Sequence, residues 1–459
     1  MAQHEPTQHR HDRGMTLGAH AIVVGGGIAG LVSARALADH FETVTVIERD
    51  PLTDDAVPRP GVPQATHLHF LQAGGLEGLC TLFPDFEADL EQAGAVRIRM
   101  GLDFRDEVPG LNPLPRRDLG ITSYTLTRPL LEHLIRRRLS GLPNVTIRDR
   151  CRALRLLTAP DGDISGELLA SASGKETLVS AFVVDATGRD ALTADLLRDK
   201  GWTPPAETRI GVDIGYATAV FAMPARLPTA WKGVAVRPAP PRSLRGAIMV
   251  PIEGRRWILS LAGVQKDQPP FDEAGFMAFV RDLPTSTIEQ ALQGAVRLGD
   301  IRRFRLPESV WRRHDRIERC PEGVVPMADG ICRFNPIYGQ GMTVAIKEAL
   351  VLARLLRERA GTHDPLVGFN RAFQTAILPL IDAAWSAAAV PDFAFPLTRG
   401  ERPEDLAERM QFSAAAFRAA FHDPEIHRTL FEVRQMLKPP GALRSPDMEA
   451  RILAERVSR

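Results

Sequence analysis

The stretch AHAIVVGGGIAGLVSARALADHFETVTVIERD, residues 19–50, narrows the possible folds more than any other part of the chain. Ala21 to Val24 is a short apolar run, as a parallel strand buried on both faces requires. Gly25, Gly27 and Gly30 follow in G-x-G-x-x-G spacing, then a helix-forming segment, then TVTVIE ending in Glu48. The first glycine allows the tight turn, the second lets the backbone approach a pyrophosphate, and the third lets helix pack on strand. Ile28 and Ala29 fall in the first helical turn, where free amides and the helix dipole favour phosphate. Glu48, with Arg49 beside it, stands roughly 20 residues on, where an acid accepts ribose hydroxyls. A lone glycine triplet is weak evidence. Strand, glycines, helix, strand and terminal acid together predict an α/β chain with a Rossmann-like dinucleotide-binding unit.

Composition removes other classes. The 459 residues and 50.4 kDa leave room for two or three domains. A net charge of +1 sets up no global field for nucleic acid or an anionic membrane, so no nucleic-acid partner is expected. Cys80, Cys151, Cys320 and Cys332 are scattered without a CxxC, which suits a reducing, cytoplasmic compartment and neither a disulfide framework nor a zinc site. No run of about 18 apolar residues predicts a transmembrane helix. The polar start MAQHEPTQHRHDRGMTLG lacks an apolar signal core and reads as a disordered tail over 1–17, with His4, His9 and His11 solvated.

A second feature returns late. EGVVPMADG reads as a strand ending in Asp329, followed by ICRFNPIYGQGM and a long helix-forming segment. Pro336, Gly339, Gly341 and Met342 stand at the helix entry. This is either a plain glycine-rich turn or a helix N-terminus aimed at a ligand. The earlier GGLEG, Gly74 to Gly78, has no strand before it and is not a second fingerprint.

The pairing of GGGIAG with this late D-G-x5-P-x-x-G-Q-G-M stretch resembles the group A flavoprotein monooxygenases, the para-hydroxybenzoate hydroxylase superfamily. The resemblance implies that Asp329 binds the ribityl or pyrophosphate part of FAD and that Pro336 lies against the isoalloxazine. Gly339 and Gly341 would open a helix whose N-terminus faces the flavin pyrimidine edge. Reduced flavin is anionic there, and a helix N-terminus stabilises it. Pro336, Gly339 and Gly341 are thus the implied catalytic positions. The family usually has Gly before the late Asp; here it is Ala328, whose methyl is expected to shift the strand end slightly.

Within that superfamily, GVPQATHLHFLQAGG, LTRPLLEHLIRRRL, FVVDATGRDA and VPIEGRRWILSLAG resemble bacterial FAD-dependent epoxidases of polyether pathways. The likeness puts Arg128 and Ala153 on FAD, makes Gln64 and His67 polar contacts near the flavin, and leaves Tyr216 and Tyr338 for substrate. Read from the residues, Arg128 opens a helix whose dipole disfavours it, so an anionic partner is expected: FAD or a salt bridge. Arg136 to Arg138 form a solvated face. His67 and His69 alternate but lack a third ligand, so no metal is expected.

The predicted organisation is a discontinuous FAD-binding domain over 18–65, 98–205 and 297–372. A β-rich substrate domain occupies 66–97 and 206–296, and a C-terminal helical region 373–459. The implied chemistry is transfer of one oxygen atom from O2 through a flavin C4a-hydroperoxide to an apolar small molecule, an alkene or polyene, as epoxidation or hydroxylation. Electrons would come from NAD(P)H or a partner flavin reductase. An epoxidase needs no strong base, whereas a phenol hydroxylase needs the ring deprotonated. With only three tyrosines in the chain, the former is favoured. No W-x-W-x-I-P segment marks a halogenase. The alternatives are an FAD-dependent reductase or dehydrogenase of an isoprenoid-like lipid and a non-catalytic flavin binder.

Overall fold

The computed structural model describes residues 16–160, 162–188, 192–224 and 230–454. The histidines of the N-terminal tail and most of that tail lie outside these residues.

A five-stranded sheet forms the first layer. Its order is Val324–Pro326, Phe182–Asp185, Gly18–Val24, Phe41–Ile47, Val145–Arg148, and every pair is parallel. The chain leaves Gly18–Val24 toward Phe41–Ile47 on one side and reaches Phe182–Asp185 on the other, so strand order reverses at the first strand. Ligands bind at such switch points, outside the carboxyl ends of the strands. Helix Ile28–Ala38 packs on this sheet through Leu31, Val32 and Leu37, all fully buried. Gly30 makes the approach possible: a Cβ there would collide with the Gly25 carbonyl oxygen.

The second layer is a six-stranded sheet. Its order is Val296–Leu306, Ile214–Ala222, Arg256–Val264, Arg245–Ile252, Gly233–Val236, Phe104–Glu107, antiparallel except for the last pair. The β-rich region predicted after 206 is present. The domain limits drawn from sequence cut across this sheet, however. Val296–Leu306 pairs along Ile214–Ala222, and Phe104–Glu107 closes the opposite edge. Strand partners are set by distant chain, which local pattern does not report.

Residues 66–97 also differ from the sequence division. Leu71, Leu79, Phe83, Phe86 and Leu90 join the core that contains helix Ile28–Ala38. GGLEG lies in helix Ala73–Leu82, and its glycines serve packing: a Cβ at Gly78 would lie 2.5 Å from Ile346 Cγ2, on helix Gly341–Arg359.

The C-terminal helices Leu406–Ala419, Pro424–Arg434 and Pro446–Ala454 share a small core of their own, with Phe412, Phe417 and Ile426 inside. Among the described residues one helix, Phe369–Asp392, is long and apolar enough to cross a membrane. Scattered polar residues such as Gln374 and Asp382 hid it from a search for an uninterrupted apolar run. Phe369, Phe373, Ile377, Ile381 and Trp385 face the main core, as in the core helix of a large domain.

Candidate functional site

A cavity of about 1100 Å³ runs from the carboxyl ends of the parallel strands to the face of the six-stranded sheet. Gly25, Gly27, Ile28, Ala29, Glu48, Arg49, Gln64, His67, Arg128, Ala153 and Asp329 line it. So do Pro336, Gly339, Gly341, Met342, Tyr216 and Tyr338. Of the cofactor, catalytic and substrate positions predicted from sequence, only Gly30 stays behind the wall, in its packing role. Residues from 25 to 342 therefore meet in one space.

At one end lies a buried charged knot. Glu48 accepts hydrogen bonds from the backbone N–H of Gly26 (2.8 Å) and of Asp50 (2.9 Å). Arg59, absent from the sequence reading, binds Glu48 at 2.7 Å, Asp50 at 3.2 Å and Glu132 at 3.1 Å, and donates to the Gly26 carbonyl at 2.9 Å. Arg128 binds Glu132 at 2.8 Å, one helical turn on. The anionic partner expected for Arg128 is thus present within the protein. Burial opposes the charge on Arg59, but Glu132, Glu48 and Asp50 outweigh it and raise its pKa.

Two helix N-termini open onto this cavity. Gly27 before Ile28–Ala38 and Gln340 before Gly341–Arg359 supply no side-chain cap. Their first amides therefore lack the partner that an N-cap normally gives. A Cβ at Gly27 would meet only the guanidinium tips of Arg128 and Arg59, each at 3.9 Å, and one at Gly341 would meet nothing within 4 Å. The side-chain oxygens of Gln340 and Gln72, both in the cavity wall, are buried without a partner. Uncapped amides, glycine cradles and orphaned polar atoms around one long cavity fit a dinucleotide cofactor such as FAD.

The late stretch is strained where sequence marked a departure. Ala328 has φ 52°, in the left-handed region, with its N–H on Glu348 Oε2 at 2.8 Å. A Cβ there costs about 1 kcal/mol relative to glycine. So Ala328 distorts its own backbone rather than the strand end. Ala328→Gly is expected to raise the unfolding free energy by about 0.5–1 kcal/mol in a denaturant titration; an unchanged or lower midpoint would show that the strain is relieved elsewhere.

The other end carries a hydrogen-bonded chain. Tyr338 Oη donates to Asp392 Oδ1 at 2.9 Å, Asn335 Nδ2 donates to the same oxygen at 2.9 Å, and Tyr216 Oη donates to Asn335 Oδ1 at 3.0 Å. Burial raises the Asp392 carboxyl to about 7, against the opposing bonds from Tyr338 and Asn335. The scarcity of tyrosine favoured chemistry without a base. The structure places two of the three tyrosines in the cavity beside a tuned acid, so scarcity says nothing against proton transfer.

His67 and His69 are neutral near pH 7. Burial lowers His67 to about 4, and burial with Arg128 lowers His69 to about 3. His67 Nδ1 lies 2.7 Å from Thr218 Oγ1, which fixes the ring against the six-stranded sheet.

Comparison with known proteins agrees with this architecture. Residues 23–53 match the family described as NAD(P)-binding Rossmann-like domain. The chain is 35% identical over 410 residues to protein Rv3254 of Mycobacterium tuberculosis, covering 84% of this chain and 83% of that protein. It belongs to the same family as Rv3254. Among solved structures, p-nitrophenol 4-monooxygenase PnpA from Pseudomonas putida superposes with a TM-score of 0.64 at 18% identity, over 92% of this chain and 99% of that one. The flavin-dependent brominase Bmp2 superposes with a TM-score of 0.60 at 14% identity, over 95% and 93%. The fold is therefore one shared with a flavin-dependent brominase and with p-nitrophenol 4-monooxygenase.

Besides Arg59, sequence reasoning missed Asp106, Arg237, Asp392 and Arg434. Arg434 carried a signal: it follows Leu430 and Phe431 by four and three residues, on the apolar stripe of helix Pro424–Arg434. A charge at such a position needs a partner. Asp392, ending a helix of mostly apolar residues, carried the same one.

Proposed function

We propose that this chain is an FAD-dependent monooxygenase that transfers one atom of O2 to a small molecule with a largely apolar body. The observation carrying this reading is the single cavity. It joins the glycine-lined, uncapped N-terminus of Ile28–Ala38 to a chamber walled by Ile214, Ala262, Phe304, Leu306 and Phe395. Gly25, Gly27, Ile28 and Ala29 would hold the diphosphate, Arg128 and Glu48 the neighbouring polar groups, and Asp329 the ribityl chain. The N-terminus at Gly341 would face the ring. Bound FAD would supply the redox chemistry with O2. The protein orients the substrate against the apolar wall and keeps out water. Electrons would come from NAD(P)H or a partner reductase. All four cysteines are free, which suits the cytoplasm.

Under 18O2 the product is expected to gain one labelled oxygen and to take none from labelled water. Product formed equally well without oxygen would replace this reading with a reductase of an isoprenoid-like lipid. A brominated product in bromide buffer would replace it with halogenation, against which the missing W-x-W-x-I-P segment argues.

Between epoxidation of an alkene and hydroxylation of an acidic hydroxyl compound, the Tyr338–Asp392 pair favours the second. Tyr338 Oη can take a substrate proton while passing its own to Asp392, which is ionised above about pH 7. Turnover is then expected to rise with pH through about 7. Asp392→Asn should flatten that limb. A profile identical in both proteins would return the reading to epoxidation.

A further inference from the structure

We infer that Arg237 and Arg434, held together by Asp106, form a site for a carboxylate group on the ligand that enters the apolar chamber. All three residues line the cavity. Asp106 is buried and accepts from Arg237 Nε at 2.7 Å, from Arg237 Nη2 at 3.1 Å and from Arg434 Nη1 at 2.9 Å. Each arginine side chain keeps 36% of its surface open, against 3% for Asp106. Both arginines stand in the cavity wall, so part of that open surface faces the cavity.

One carboxylate shared by two guanidiniums leaves an excess of one positive charge. The nearby groups do not cancel it. Tyr338 is uncharged, its hydroxyl pKa pushed up by burial and by Asp392. His67 and His69 are neutral, and Asp392 lies behind Tyr338 with its proton half retained near neutrality. Arg237 Nη1 and Arg434 Nε and Nη2 have no hydrogen-bond partner among the described residues. Arg434 is further fixed over the rings of Phe417 and Phe431, at 5.4 and 5.7 Å.

Two pre-oriented guanidiniums with free donors match a planar carboxylate, and an uncompensated charge in an enclosed space is stabilised by one. Phe104 and Val108, on either side of Asp106 in the chain, and Val236, before Arg237, give the same part of the cavity apolar walls. The ligand class is therefore an amphipathic acid with its apolar body in the chamber. Calling that ligand the substrate rests on the monooxygenase reading; the carboxylate site does not.

The test is calorimetric titration of the FAD-loaded protein with octanoate and with octanamide, which share a chain and differ in charge. Octanoate is expected to bind at least about 10-fold more tightly. Arg237→Met and Arg434→Met should each remove that preference, leaving octanamide affinity and FAD content unchanged. Arg434→Lys, which keeps the charge, should retain part of it. Equal binding of the two ligands to the unaltered protein would overturn the site. So would Arg→Met variants that lose both ligands together or lose FAD. Because binding needs no turnover, a preference for octanoate without 18O incorporation would sink the monooxygenase reading alone.

Discussion

Arg59→Met is expected to lower the unfolding free energy by about 3–5 kcal/mol and to yield protein largely free of FAD. Arg59 bridges Glu48, Asp50 and Glu132, all buried, and among the described residues no other cation pairs with Glu48 or Asp50. Methionine fills similar volume, so the loss is one of charge and hydrogen bonds rather than of packing. The remaining carboxylates would repel one another in an enclosed space. Gly26 would also lose the donor on its carbonyl, which sits inside the glycine turn. Arg59→Lys should recover part of the stability at pH 7. The measurement is urea unfolding, with bound flavin read by absorbance. A midpoint within experimental error of the parent at pH 7 would show that the knot is not held by Arg59.

This knot also marks the limit of what a sequence displays. The first strand, its glycines and Glu48 lie within some 30 residues, and each step is dictated by local physics: periodicity, turn geometry, helix packing. The β-rich character of residues 206–296 was legible for the same reason, whereas Phe104–Glu107, from outside that region, was not. Arg128 lies in between. Its need for an anion followed from its place at a helix start, and Glu132 stands four residues on, yet whether that acid or a ligand would serve depended on the surrounding space. Arg59 sits between prolines in a segment without periodicity, and its partner Glu132 is 73 residues away. Asp106 meets Arg237 across 131 residues and Arg434 across 328. Such pairings come from tertiary packing and leave no local pattern. The only trace is negative: a charge on a stripe that should be apolar, as at Arg434 and Asp392. GGLEG shows the converse. A glycine cluster that resembled a broken fingerprint is a helix face made flat for its neighbour.

Gly341→Val should separate folding from cofactor binding more cleanly than any other change. Gly30, behind the cavity wall, and Gly341, in it, differ in kind. At Gly30 a Cβ collides with backbone, so any substitution there damages the fold itself. At Gly341 a Cβ meets no protein atom within 4 Å, and the residue is the first of helix Gly341–Arg359. Valine in the first turn of a long helix is no worse than glycine, the two differing by less than about 0.5 kcal/mol. Its methyl groups would project into the cavity, over the amides that a ring edge must approach. Apoprotein stability is therefore expected to stay within about 0.5 kcal/mol of the parent, while FAD affinity falls at least about 10-fold, a loss of about 1.4 kcal/mol or more. Flavin titration by fluorescence quenching and thermal unfolding of the apoprotein supply the two readouts. If affinity and reduction rate both match the parent, the helix does not face the ring, and Gly339 and Gly341 serve only to turn the chain. If the apoprotein unfolds, the open space at Gly341 is filled in solution by the protein itself. Only loss of flavin from an intact fold supports a helix N-terminus placed against the cofactor.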